Sequence, residues 1–160
     1  YRYRIIIPSY TNDGTLNYFV GRDYYGGSMK YKNPRVSKDV VGFESMIDWN
    51  QPVILCEGVF DAIAIKRNAI PLFGKTLPPQ LLKRLVQHKV KKLYLILDSD
   101  AQKDSMKIVD KLKSYQIDVN MITLKDKDPS ELGFEKTINL IKQTKDSLSF
   151  SDIMKMKLGA

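Results

Sequence analysis

The chain has 160 residues, 26 Lys or Arg against 18 Asp or Glu for a formal charge of +8, and 43% hydrophobic residues. That length carries one ordinary domain, or one and part of a second, around a real core, which excludes disorder, collagen and coiled coil as the main state. Cys56 is the only cysteine and His88 the only histidine, which excludes an internal disulfide, a cysteine-built zinc site and a histidine triad and leaves acid, base or metal chemistry to carboxylates.

The chain opens YRYRIIIP, an apolar run too short for a signal peptide or a membrane span. With no start Met, the expectation is a fragment, and the single-cysteine usage fits a reducing compartment. Residues 3–7, ending at Pro8, and 16–20, ending at Gly21, read as strands. Asn12-Asp13-Gly14 between them is a hairpin signal, because Asp and Gly tolerate the turn geometry. Residues 24–39 read as a loop or irregular strand, and there and just before it Arg22, Lys30, Lys32, Arg35 and Lys38 interleave with Tyr24, Tyr25 and Tyr31. Such mixing suits phosphate contact with base stacking, and equally a solvated loop with tyrosines packed beneath it.

From residue 53 the rhythm changes. Strands are predicted over 53–56, 69–73, 92–97 and 119–124. Helices are predicted over 60–67, 79–87, 105–114 and 134–143, the second ending near His88 as an ordinary helix-end histidine. Alternation of this kind predicts a mostly parallel sheet with helices on both faces, and the nearly continuous apolar strands are those of a sheet buried on both sides. The positive excess is spread along the chain, which agrees with attraction of polyanions and also with simple solubility.

In such sheets ligands bind outside the carboxyl ends of the strands. Glu57 follows the first strand of this series, Asp98 and Asp100 the third, Asp126 and Asp128 the fourth. Asp98 and Asp100 are two apart, so extended backbone points both the same way, where they could share a divalent cation. Oxygen ligands favour Mg²⁺ or Mn²⁺ over zinc. Asp61, four residues after Glu57, can serve as an N-terminal helix charge, a metal ligand, or both.

ILCEGVFDAIAI, a strand ending PLFGKT, and LYLILDSD together resemble a Toprim domain, the fold shared by bacterial-type DNA primases, topoisomerases, RecR-like proteins and some nucleases. RYRIIIPSYTNDGTLNYFVGR, MKYKNP and LKDKDPSEL extend the resemblance to DnaG-type primases over about residues 2–133. It implies an α/β Toprim fold over residues 51–143, preceded by a small β-rich part of the primase polymerase core over 1–50 and followed by an extension over 144–160. It implies Mg²⁺ or Mn²⁺ held by Glu57, Asp98 and Asp100, with Asp61 and Asp128 as outer ligands or supports. Arg22, Lys30, Tyr31, Asn33 and Lys75 match segments lining the template and nucleotide groove, and Lys32 and Arg35 extend that basic patch.

The implied activity is nucleotidyl transfer that makes short RNA primers on single-stranded DNA from ribonucleoside triphosphates, passing through an RNA–DNA hybrid. The expected setting is the cytoplasm of a bacterial cell, at replication forks, away from any membrane, with a replicative helicase as partner through regions outside this chain. Where bacterial primases usually read Asp-Gly-Asp-Arg-Ala-Gly, this chain has Asp98-Ser99-Asp100-Ala101-Gln102-Lys103. The second acid of the family's Asp-Pro-Asp is Ser130. Both departures point to a divergent, phage-like branch. The competing readings are a Toprim nuclease using the same acids with water as nucleophile, and a RecR-like module that binds nucleic acid without catalysis.

Overall fold

The structure is a computed structural model that describes residues 1–66, 68–97, 102–124 and 129–144, the side chains of Gln102 and Thr123 excepted. It is an α/β fold: a parallel sheet flanked by helices, preceded by a small antiparallel sheet.

The antiparallel sheet has the order β1-β2-β3, with β1 (Arg4–Tyr10), β2 (Leu16–Asp23) and β3 (Tyr31–Lys32). Its hairpin turn closes where the Asn-Asp-Gly signal stands. Gly14 takes a left-handed φ of 83°, and Thr11 donates a hydroxyl hydrogen bond to the Asp13 carboxylate. Hydrogen bonds from the Thr11 hydroxyl and the Thr15 N–H hold the Asp13 carboxyl below its ordinary range. The first strand does not stop at Pro8. It continues through Ser9 to Tyr10, with Pro8 paired to Phe19. Proline is tolerated there because β1 is an edge strand, whose outer side needs no N–H.

Residues 33–52 cross to the second sheet and are stapled to the hairpin. The Phe43 N–H donates to the buried Ser9 Oγ at 2.9 Å, and Asn17 Nδ2 donates to the Val41 carbonyl at 2.9 Å. The parallel sheet has the order β5-β4-β6-β7, with β4 (Val53–Cys56), β5 (Ala69–Pro71), β6 (Lys92–Leu97) and β7 (Asp118–Thr123). The helices are α1 (Val59–Ile65), α2 (Pro79–Gln87), α3 (Gln102–Lys113), α4 (Pro129–Leu132) and α5 (Phe134–Gln143).

Strand alternation divides the core in two. Val53, Leu55, Leu93, Leu95 and Val119 pack with Leu81 and Leu85 of α2 and Val109 and Leu112 of α3. Ile54, Cys56, Ile96 and Ile122 point the other way, to Ala62 and Ile65 of α1 and Ile141 of α5, and Tyr18 and Val20 of β2 join this second layer. Most of these side chains are essentially inaccessible, and each Val, Leu or Ile among them contributes roughly 1.5–3 kcal/mol of burial. Burial on both faces is why the strands read as unbroken apolar runs.

Proline at the first position of α2 suits its start, and the Asp39 carboxylate accepts the Gln80 N–H at 2.8 Å, supplying a cap from outside the helix. His88 follows α2, exposed, its ring lying flat on Trp49 at 4.6 Å. Among the described residues no helix is long and apolar enough to cross a membrane. The expected extension lies, from residue 145 on, outside the described residues.

Candidate nucleic-acid and metal site

The carboxyl ends of β4 and β5 open on a cavity of about 350 Å³ that lies between the two sheets. Glu57, Gly58, Phe60 and Asp61 form one wall. Lys30, Tyr31 and Asn33 form the wall facing it, with Phe73, Gly74 and Ser130 completing the lining.

Glu57 is the residue after β4, half-buried and set by the strand end. Gly58 is the extended N-cap of α1, and its N–H donates to Asp61 Oδ2 at 3.0 Å, the acidic half of a capping box. Asp61 is 8% exposed. Its negative charge in the first turn also complements the helix dipole. A Cβ on Gly58 would stand 3.2 Å from the same oxygen, so this turn is tight. Behind it, Cys56 is fully buried. Burial, and then the charge of Asp61, push its thiol well above the ordinary value. Cys56 is therefore a core side chain and not a nucleophile.

On the opposite wall the Arg22 guanidinium lies 4.8 Å from the Tyr31 ring centre and 5.7 Å from that of Phe60, and the Lys30 ammonium lies 5.8 Å from Tyr31. Arg22 thus links the antiparallel sheet to α1 across the cavity's edge. Asn33 hydrogen-bonds the phenol of Tyr18, whose pKa burial raises. The Asn33 Oδ1 is buried without a hydrogen-bond partner, although the residue lines the cavity.

A second cavity of about 370 Å³ adjoins the first through Phe73 and Gly74 and is lined also by Lys38 and Lys75. Phe73 has a left-handed φ of 54°, costly for an aromatic residue. Two contacts hold it there: its ring packs on Tyr18 at 4.6 Å, and Lys38 Nζ donates to its carbonyl at 2.8 Å.

The structure thus brings Lys30, Tyr31, Asn33, Glu57 and Asp61 to one cavity, with Arg22 at its edge and Lys75 in the next. Lys32 lies on the other face of β3, its ammonium 5.2 Å from the ring centre of Tyr1. Arg35 is exposed and lines neither cavity. Asp98, Asp100, Asp126 and Asp128 lie outside the described residues. Among the described residues no three metal-ligating side chains stand together. Glu57 and Asp61 supply carboxylate oxygens to one cavity, a donor type that fits a hard divalent cation. The places of Phe60 and Phe73 around these cavities were not anticipated, and Lys38, read only as one cation of the basic, tyrosine-rich stretch, lines the second of them. Phe60 had a signal, since it stands three residues after Glu57 on the same turn. Phe73 and Lys38 are joined by a contact 35 residues apart in sequence, which no local pattern reveals.

The chain belongs to the Toprim-like family, whose model matches residues 54–133. It is 32% identical to the uncharacterized protein MG010 of Mycoplasma genitalium, over 73% of this chain and 57% of that protein, so it spans little more than half the length of that relative. Among solved structures it resembles the Aquifex aeolicus primase (zinc binding and RNA polymerase domains), with a TM-score of 0.77 at 24% identity over 91% of this chain and 41% of that one. It also resembles the DnaG primase catalytic domain bound to ssDNA, with a TM-score of 0.80 at 17% identity over 99% of this chain and 57% of that one. The likeness to these two is one of fold.

Proposed function

We propose that the chain is the Toprim-bearing part of a DNA primase catalytic core, with residues 1–50 as part of the polymerase core's β-rich subdomain and 51–143 as the Toprim domain. Its reaction joins ribonucleotides on a single-stranded DNA template. The 3′-hydroxyl of one attacks the α-phosphate of the next, an O–P bond forms, and pyrophosphate leaves. The observation that carries this reading is one cavity walled on one side by Glu57 at a strand end and Asp61 in the helical turn that follows, and on the other by a cation–aromatic–amide set.

Glu57, Asp98 and Asp100 would hold Mg²⁺ or Mn²⁺, with Asp61 and Asp128 in support. When bound, such a cation neutralises triphosphate charge and lowers the pKa of the attacking hydroxyl. The remaining work falls to positioning and charge. Arg22 and Lys30 offset phosphate charge, the Tyr31 ring offers a face for stacking, and Asn33 lines the cavity beside them. The backbone turn at Gly58, held by Asp61, fixes where Glu57 stands.

The test is primer synthesis by the full-length protein on single-stranded DNA with labelled ribonucleotides and Mg²⁺ or Mn²⁺. Short RNA products are expected from the wild type, and a loss of at least about 10²-fold from Glu57→Gln, as for removal of one electrostatic catalytic group. Cleavage of DNA or RNA without synthesis would transfer the same carboxylates to a nuclease. Near-wild-type synthesis by Glu57→Gln would remove Glu57 from the mechanism.

A further inference from the structure

On the sheet face away from this cavity, α2 and α3 leave an open groove of about 440 Å³ between them. Leu77, Pro79, Leu82 and Val86 give it an apolar floor, and Tyr115 closes one wall. Leu82 is nearly buried, whereas Val86 is 44% and Tyr115 47% exposed. The apolar surface therefore continues from the core outward and ends uncovered. Each wall contributes one lysine, Lys83 from α2 and Lys111 from α3, and the Lys111 ammonium lies 5.4 Å from the Tyr115 ring centre. Among the described residues no aspartate or glutamate lines the groove.

We infer that this groove docks a segment of a partner protein whose apolar side chains are flanked by carboxylates. An apolar trough between two helices takes up the apolar side chains of an extended or helical segment. Two ammonium groups on opposite rims, with no acid among the lining residues, select carboxylates beside those side chains and repel a basic segment. A nucleic-acid strand fits the groove poorly. Its phosphates would find two lysines, but its bases would meet an aliphatic floor with one aromatic ring, where stacking surfaces are required. The inference is independent of the catalytic reading, since none of these residues lines the cavity that holds Glu57.

The test pans the full chain against a phage-displayed library of random short peptides at low salt. Binding of a fluorescein-labelled copy of a recovered peptide is then measured by anisotropy. Recovered peptides are expected to carry Leu, Phe or Trp between Asp or Glu residues. Affinity is expected to fall at least about tenfold for Lys83→Glu combined with Lys111→Glu, and also for Val86→Asp, and to weaken with salt. It is expected to be unchanged for Lys30→Ala. All three altered positions of the groove are exposed, so melting temperatures near the wild type should accompany the loss. Peptides without acidic residues, recovery of no peptide that depends on the groove, or unchanged affinity in both groove variants would overturn the inference. So would a drop in single-stranded DNA affinity in the groove variants, which would assign the face to nucleic acid.

Discussion

Asp61 occupies the third position of α1 with one carboxylate oxygen bonded to the Gly58 N–H, and it borders the same cavity as Glu57. Its burial and its capping bond give it a structural task whatever else it does. Removing that bond leaves an N–H at the strand-to-helix turn without its acceptor, at a cost of about 0.5–2 kcal/mol. Asp61→Ala is therefore expected to lower the thermal midpoint, whereas Asp61→Asn retains an acceptor oxygen and stays closer to the wild type. Thermal unfolding of both variants, free of metal, checks this. Equal and negligible shifts would make the capping bond energetically idle. The sequence showed that Asp61 stood in a first helical turn but left its role open. The usual capping-box signature has Ser or Thr at the N-cap, and here Gly58 stands there with only its backbone N–H to offer.

Segment 38–42 works at the scale of elements. Lys38 bonds the Phe73 carbonyl, Asp39 caps α2 at Gln80, and Gly42 passes so close to β5 that a Cβ there would stand 2.4 Å from the Pro71 carbonyl oxygen. Three contacts thus tie the crossing between the sheets to both sides of the β5–α2 loop, which carries Phe73, Gly74 and Lys75. Gly42→Ala forces backbone apart rather than a flexible side-chain tip, so a destabilisation of about 1–3 kcal/mol is expected, as for overpacking in a core. Urea unfolding measures it, and a change below about 0.5 kcal/mol, the range of ordinary surface substitutions, would mean that the crossing is not clasped. None of this was legible in the chain, because each contact joins residues far apart in sequence. The parallel strands were legible for the opposite reason. Val53–Cys56, and residues 93–97 with Tyr94 only half-buried, are packed on both faces, and their shortness and flanking turn residues set these apolar runs apart from a helix. The two-residue β3 and the four-residue α4 are too short for any periodicity, and Pro8 reads as a strand end until its edge position is known.

At the scale of the whole molecule, a formal charge of +8 sets a general attraction for polyanions, but position decides which cations a strand would meet. Arg22 and Lys30 share the Tyr31 ring at the edge of the cavity, and Lys32 turns to the opposite face of β3. Sequence spacing made these three look alike, since all fall within one basic, tyrosine-rich stretch. Arg22 stands opposite Tyr31 in the β2–β3 register and Lys30 precedes the strand, whereas the pleat turns Lys32 away from Tyr31, because neighbouring residues on a strand face opposite ways. Each cation that meets a phosphate of a single strand adds about 0.7 to the salt dependence of binding, the slope of log K against log salt. For a single-stranded DNA probe followed by anisotropy across a salt series, Arg22→Ala and Lys30→Ala should each flatten the slope by about that amount, and the double variant by about twice it. Arg22→Ala should cost more affinity than Lys30→Ala, because it also removes the bridge between Tyr31 and Phe60. Lys32→Ala should leave the slope unchanged, since its ammonium rests against Tyr1 on the far side of the sheet. A flattened slope for Lys32→Ala with none for the double variant would move the strand's path to that outer face and away from Glu57.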